Sequence, residues 1–107
     1  GGGEYTFTSS ITPSVDSRGV GAVSYNVTPT DSASLTVDNA FKIKAYLLGG
    51  TNVVYPLIIT SASVSSTAFY VILKSIYGST QATSSATITG TLKFVAPFEI
   101  SSVSAGM

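Results

Sequence analysis

The sequence has no cysteine and no histidine. Without cysteine there can be no disulfide and no thiolate metal ligand, although compartment is left open. Without histidine, Ser-His and Cys-His nucleophilic pairs are impossible, and zinc and iron lose their commonest ligand. Charge is scarce as well. Asp, Glu, Lys and Arg make up 9% of the chain, where about 25% is usual for a soluble domain. Five acids balance five cations, for a net charge of zero. A nucleic-acid partner calls for clustered Lys and Arg that displace counterions from phosphates. Here Arg18, Lys42, Lys44, Lys74 and Lys93 are scattered, with only Lys42 and Lys44 close together, so no nucleic-acid partner is expected. No run of apolar residues is long enough for a spanning helix, so no membrane insertion is expected either.

The remaining polar groups offer little chemistry. A Ser-Lys pair is formally open. Glu4 and Glu99, near the two ends of the chain, could meet as the paired carboxylates of a glycoside hydrolase, but strand-end acids are the ordinary reading. Asp16, Asp31 and Asp38 fall in turn-like stretches and lack the Asp-x-Asp-x-Asp spacing of a calcium loop. Gly1-Gly2-Gly3 has neither the Lys nor the following helix of a phosphate loop and reads as a flexible leader. With no initiator Met and no signal-peptide apolar segment, this start fits a processed product or a fragment. "NVT", Asn26 to Thr28, matches a glycosylation sequon. No catalytic residue, cofactor or metal site is expected, and an enzyme is not.

What is present is β-forming. The 107 residues suit one domain, and mean hydropathy is +0.42. Serine and threonine supply polarity in place of charge, and Gly, Ser, Thr and Pro punctuate the chain every eight to twelve residues. Strands are expected at Tyr5 to Ile11, Ala22 to Thr28, Ser34 to Val37, Ala40 to Leu48, Val53 to Thr60, Thr67 to Tyr77, Ser84 to Ala96 and Phe98 to Val103. Turns are expected at "DSRG" (Asp16 to Gly19), "PTDS" (Pro29 to Ser32), "DN" (Asp38-Asn39), "GGTN" (Gly49 to Asn52) and "GSTQ" (Gly78 to Gln81). Pro13 and Pro56 suggest strand edges or bulges. The expected fold is all-β: an antiparallel two-sheet sandwich or jelly roll of about eight short strands with no significant helix. Residues 1–11 are expected to be a flexible arm or edge strand. Period-two spacing places Phe41, Ile43, Leu47, Ile88, Leu92 and Phe94 in the core, and Lys42 and Lys44 outside.

"TAFYVILKSIYG", Thr67 to Gly78, breaks the usual rule that a sheet has one dry and one wet face. Phe69, Val71 and Leu73 share one side, while Tyr70, Ile72 and Ile76 share the other. "VVYPLII" (Val53 to Ile59) and "FVAPFEI" (Phe94 to Ile100) are apolar on both sides too. Left bare, such faces would form a patch larger than a monomer usually carries. Copies of the same chain would cover it, with Tyr70, Ile72, Ile76, Tyr5, Phe7 and Phe98 as expected interface residues. An N-terminal strand behind three glycines could also reach a neighbour's open edge.

"LIITSASVSSTAFYVIL" followed by "ATITGTLKFVA" resembles the strand rhythm of small β-structured virion surface proteins, namely capsid-decoration and tail-fibre-tip domains. It also resembles that of strand-donating pilus subunits, although the Cys pair common in chaperone-usher pilins is missing. The resemblance covers about Leu57 to Ala96 and implies a non-enzymatic structural subunit of a virion or extracellular filament, located on the virion or extracellular surface. Its partners would be other copies of itself and further virion or filament proteins. The alternative is a receptor- or glycan-binding tip of the tail-fibre type that uses loop acids and exposed tyrosines, and the strand alternation makes Tyr46, on the outer face with Lys42 and Lys44, the better contact candidate.

Overall fold

A computed structural model describes residues 2–11, 14–15, 20–50, 52–76 and 88–106. The expected turns at Asp16 to Gly19 and Gly78 to Gln81, and the strand extension over 84–87, lie outside these residues. So do the side chains of Phe7, Ile76 and Ile88.

The chain is all-β. Its strands are β1 (Gly3–Ile11), β2 (Ser14–Val15), β3 (Val20–Pro29), β4 (Lys44–Gly49), β5 (Val53–Val64), β6 (Phe69–Ile76), β7 (Ile88–Ala96) and β8 (Ile100–Ala105). Every pairing is antiparallel. The strands hydrogen-bond in the order β1-β7-β4-β5-β6-β3, and the far side of β3 is shared by β2 and β8. The expected two-sheet sandwich is therefore replaced by one continuous 8-stranded sheet that curls until β8 lies against β1. No ladder pairs β1 with β8 among the described residues, so the ring is nearly, not fully, closed.

The interior is filled by alternate residues of the central strands. Tyr25, Val27, Leu47, Phe69, Val71, Leu73, Leu92 and Phe94 are almost wholly buried. Tyr25 and Phe94 stand on strands four steps apart in the pairing order and meet across the interior edge to face, with ring centroids at 5.8 Å. Phe69 meets Phe98 at 5.5 Å with the two rings tilted by 41°.

Two short helices stand where the turns at Pro29 to Ser32 and Asp38-Asn39 and parts of the strands at Ser34 to Val37 and Ala40 to Leu48 are expected. Ser32–Ser34 form a 3-10 turn, η1, and Val37–Phe41 form a helix, α1, of little more than one turn. Each has its own N-cap. The Asp31 carboxylate accepts from the Ala33 N–H at 3.0 Å, and the Thr36 hydroxyl accepts from the Asn39 N–H at 3.0 Å. α1 takes Phe41 out of the expected period-two row. Phe41 is 50% exposed, Ala40 fills the buried place, and β4 begins only at Lys44. From Ile43 onward the alternation holds: Ile43, Ala45 and Leu47 point inward, and Lys42 and Lys44 are exposed.

Pro56 sits inside β5, between β4 and β6, rather than on an edge strand. It is opposite Tyr46 of β4, while the β6 register begins at Leu57. β5 then runs on past the expected end at Thr60. There the register with β6 slips, and the Thr60 hydroxyl donates to the Ile72 carbonyl at 3.4 Å. This bulge reverses the phase of the strand, so Leu57 and Ile59 face the core before it and Ala62 and Val64 after it.

Candidate assembly interface

The outer surface of β4, β5 and β6 is built by the same alternation that fills the core. With Leu47, Leu57, Phe69, Val71 and Leu73 turned inward, Leu48, Val54, Ile58, Tyr70 and Ile72 turn outward. Register brings them together. Leu48 is opposite Val54, Tyr46 is opposite Pro56, Ile58 is opposite Lys74, and Ile72 and Tyr70 are opposite Ser61 and Ser63. The result is an apolar belt crossing three adjacent strands, in which Val54 is 55% exposed and Ile58 52% exposed. The total accessible surface is 5827 Å², close to the ~5,600 Å² that scaling gives for a compact chain of this mass. The belt is thus a feature of a fully folded molecule.

Tyr70 (43% exposed) and Ile72 (37% exposed) stand on this belt. Tyr5 and Phe98 do not. Tyr5 is in register with Phe94 and packs half-buried against the core, and Phe98 is buried against Phe69. Phe7 and Ile76 have side chains outside the described residues. Val54 and Ile58 are exposed over a larger fraction of their surface than either predicted residue. Their signal was present in "VVYPLII", but only the register through Pro56 places them beside Leu48 and Lys74.

Beside Tyr70, a hollow of about 140 Å³ is lined by Ser24, Ser61, Ser63 and Ile72. At one end of the barrel, Phe41 lies between two further grooves. One, of about 280 Å³, runs to Tyr46, Pro56 and Ile58, and the other, of about 520 Å³, runs to Lys42, Lys44 and Pro97.

The described acids do not gather into one site, although Asp31 and Glu99 border the same hollow. Glu4 pairs with Lys93 across β1 and β7 at 3.3 Å. Asp31 caps η1, and Asp38 lies in the first turn of α1. Among the described residues no group of three or more possible ligand side chains could hold a metal ion, and Asp16 lies outside them. The sequon residue Asn26 is in mid-strand on β3 between Tyr70 of β6 and Ser104 of β8, with its Oδ1 buried and unpartnered among the described residues. No described helix is long and apolar enough to cross a membrane.

Comparison of the chain with protein families, with curated proteins and with solved structures finds no match.

Proposed function

We propose that this chain is a non-enzymatic structural subunit that assembles with copies of itself through the apolar outer face of β4, β5 and β6. The observation that carries the proposal is the make-up of β6, apolar on both sides. Phe69, Val71 and Leu73 are sealed by the chain's own core, while Tyr70 and Ile72 are exposed on the outer face, Ile72 diagonal to Ile58. A stable interface removes about 800 Å² per partner and is apolar at its centre. The belt supplies such a centre, and serine hydroxyls, cheap to desolvate compared with ions, supply its rim. The strand rhythm and the scarcity of charge support a virion or extracellular assembly as its setting.

The test is a concentration series in light scattering, with wild type and Ile58→Asp compared. Wild type forms large, regular particles. Ile58→Asp stays small, because an unpaired carboxylate cannot be buried in the contact. Normal particles from Ile58→Asp, or a wild type that remains monomeric at every concentration, would overturn the proposal.

A second reading rests on the hollow beside Tyr70. An aromatic ring with three serines around it suits a sugar ring, which stacks on one and hydrogen-bonds to the others. A receptor- or glycan-binding tip stops at a small oligomer and loses glycan binding in Tyr70→Ala, whereas a structural subunit shows no glycan binding to lose.

A further inference from the structure

The end of the barrel that bears Phe41 carries two grooves of opposite charge separated by Pro97. On one side, about 520 Å³ is bounded by Phe41, Lys42, Lys44 and Val95. On the other, about 320 Å³ is bounded by Asp31, Ser34, Phe98 and Glu99. Pro97 borders both and is exposed. Lys42, Lys44, Asp31 and Glu99 are all exposed, and none has an ion-pair partner among the described residues. Both walls are fixed by backbone hydrogen bonds. The Thr30 N–H donates to the Glu99 carbonyl at 3.1 Å, and the Lys42 N–H donates to the Asn39 carbonyl at 3.1 Å.

We propose that this end is a self-complementary docking surface for a second copy of the chain, in a two-fold dimer. A small anion or cation would be drawn to one groove and repelled by the other. A partner bearing the same two grooves in rotated order satisfies both, and another copy of this chain is such a partner. A two-fold axis lying in the contact along the Pro97 divide sets Lys42 and Lys44 of each copy over Asp31 and Glu99 of the other. Isologous contacts are self-complementary in this sense. Pro97, exposed on the divide, and Phe41, half-exposed along the basic groove, give the contact apolar area. The charges around it set orientation more than strength, since rim ion pairs are individually weak. The surface differs from the β4-β5-β6 belt, so the proposal does not rest on the assembly reading. Together the two contacts would give each subunit the two interfaces that a polymer needs.

The test uses sedimentation velocity of the full chain in an Ile72→Asp background, which removes the belt contact. This background forms a dimer that weakens toward 1 M salt, where the Debye length is about 3 Å. Lys42→Glu with Lys44→Glu makes both grooves acidic, and Glu99→Lys with Asp31→Asn makes the second groove basic while keeping the η1 cap. Each pair of substitutions weakens dimerisation at least tenfold alone, and mixing the two variants restores a dimer. Phe41→Ser, which leaves every charge in place, also weakens it, and so covers the case in which a charge variant fails to fold by circular dichroism. A monomeric background at all concentrations, dimers indifferent to the reversals, or a mixture that stays monomeric would overturn the proposal. Failure of the belt reading appears separately, as wild type that never grows beyond a dimer.

Discussion

Gly90 of β7 packs directly against the carbonyl group of Leu48 in β4. A Cβ at position 90 would overlap the carbonyl oxygen and lie 3.0 Å from the carbonyl carbon and 3.2 Å from the Gly49 Cα. All three obstacles are backbone, so they cannot swing aside. Glycine inside a strand marks such close approaches, and barrels use them to turn corners. Gly90→Ala should destabilise the fold by about 2 to 3 kcal/mol, at the upper end of what overpacking usually costs, read as a lower urea midpoint. Gly49→Ala is the internal control. Its Cβ would meet the Tyr55 ring at 3.0 Å, and a side chain can move, so the loss should be well under that of Gly90→Ala.

The two phenylalanines that periodicity groups together as core should behave as opposites. Phe94 is fully buried and Phe41 is half exposed. Phe94→Ala should cost about 3 to 5 kcal/mol, as large-to-small changes in a packed core do. Phe41→Ala should cost under about 1 kcal/mol, as for most surface substitutions. Chemical denaturation of the two variants separates them, and equal losses would restore Phe41 to the core.

The reason Phe41 misleads is local. Period-two spacing over Phe41, Ile43, Ala45 and Leu47 is genuine, but Thr36 and Asn39 sit at cap spacing upstream, and Asp31 stands before another short turn. Side-chain caps offer the backbone an alternative to a sheet ladder, and here they win for the few residues they reach. Thr36→Ala should therefore cost about 1 kcal/mol, with Thr36→Ser restoring most of it in thermal melts.

The all-β class, the inward rows of β3, β4, β6 and β7 and the two apolar sides of β6 were legible because each strand carries its own alternation. Closure into one sheet was not, because strand order depends on pairings between residues far apart in sequence, such as Tyr5 with Phe94 and Tyr25 with Val71. The length of β5 was hidden by the bulge at Thr60, which moves the apolar residues from odd to even positions and so imitates a strand end. Tyr5 and Phe98 read as interface residues from sequence because nothing in an aromatic residue's immediate neighbours tells a core position from an exposed one near a chain end.

Asn26 offers a gain in stability. Its Oδ1 is buried on the outer side of β3 without a hydrogen-bond partner among the described residues. An unsatisfied buried acceptor costs about 1 to 3 kcal/mol, and valine suits a half-covered strand position between Tyr70 and Ser104. Asn26→Val should raise the urea midpoint with the slope unchanged. A lower midpoint would mean that the amide makes a bond its surroundings do not reveal.

Ile72 gives the sharpest separation of folding from assembly. Its side chain is 37% exposed on the outer face, opposite Ser61 of β5 and Ser24 of β3. In the monomer, Ile72→Asp gives up strand propensity and some contact with its neighbours, a loss of about 1 kcal/mol on a scale that spans roughly that range. In a covered face, the same carboxylate would be buried without a partner, which disrupts a contact by about 3 to 5 kcal/mol per site. Ile72→Thr keeps the branched Cβ and strand propensity while shedding apolar area, so it should weaken assembly by less. The expected order of particle formation is wild type, then Ile72→Thr, then Ile72→Asp. All three should give the same far-ultraviolet circular dichroism and melt within a few degrees of one another. If Ile72→Asp assembles as wild type does, the outer face of β6 lies in solvent in the native state, and the contact between subunits must be sought elsewhere on the barrel.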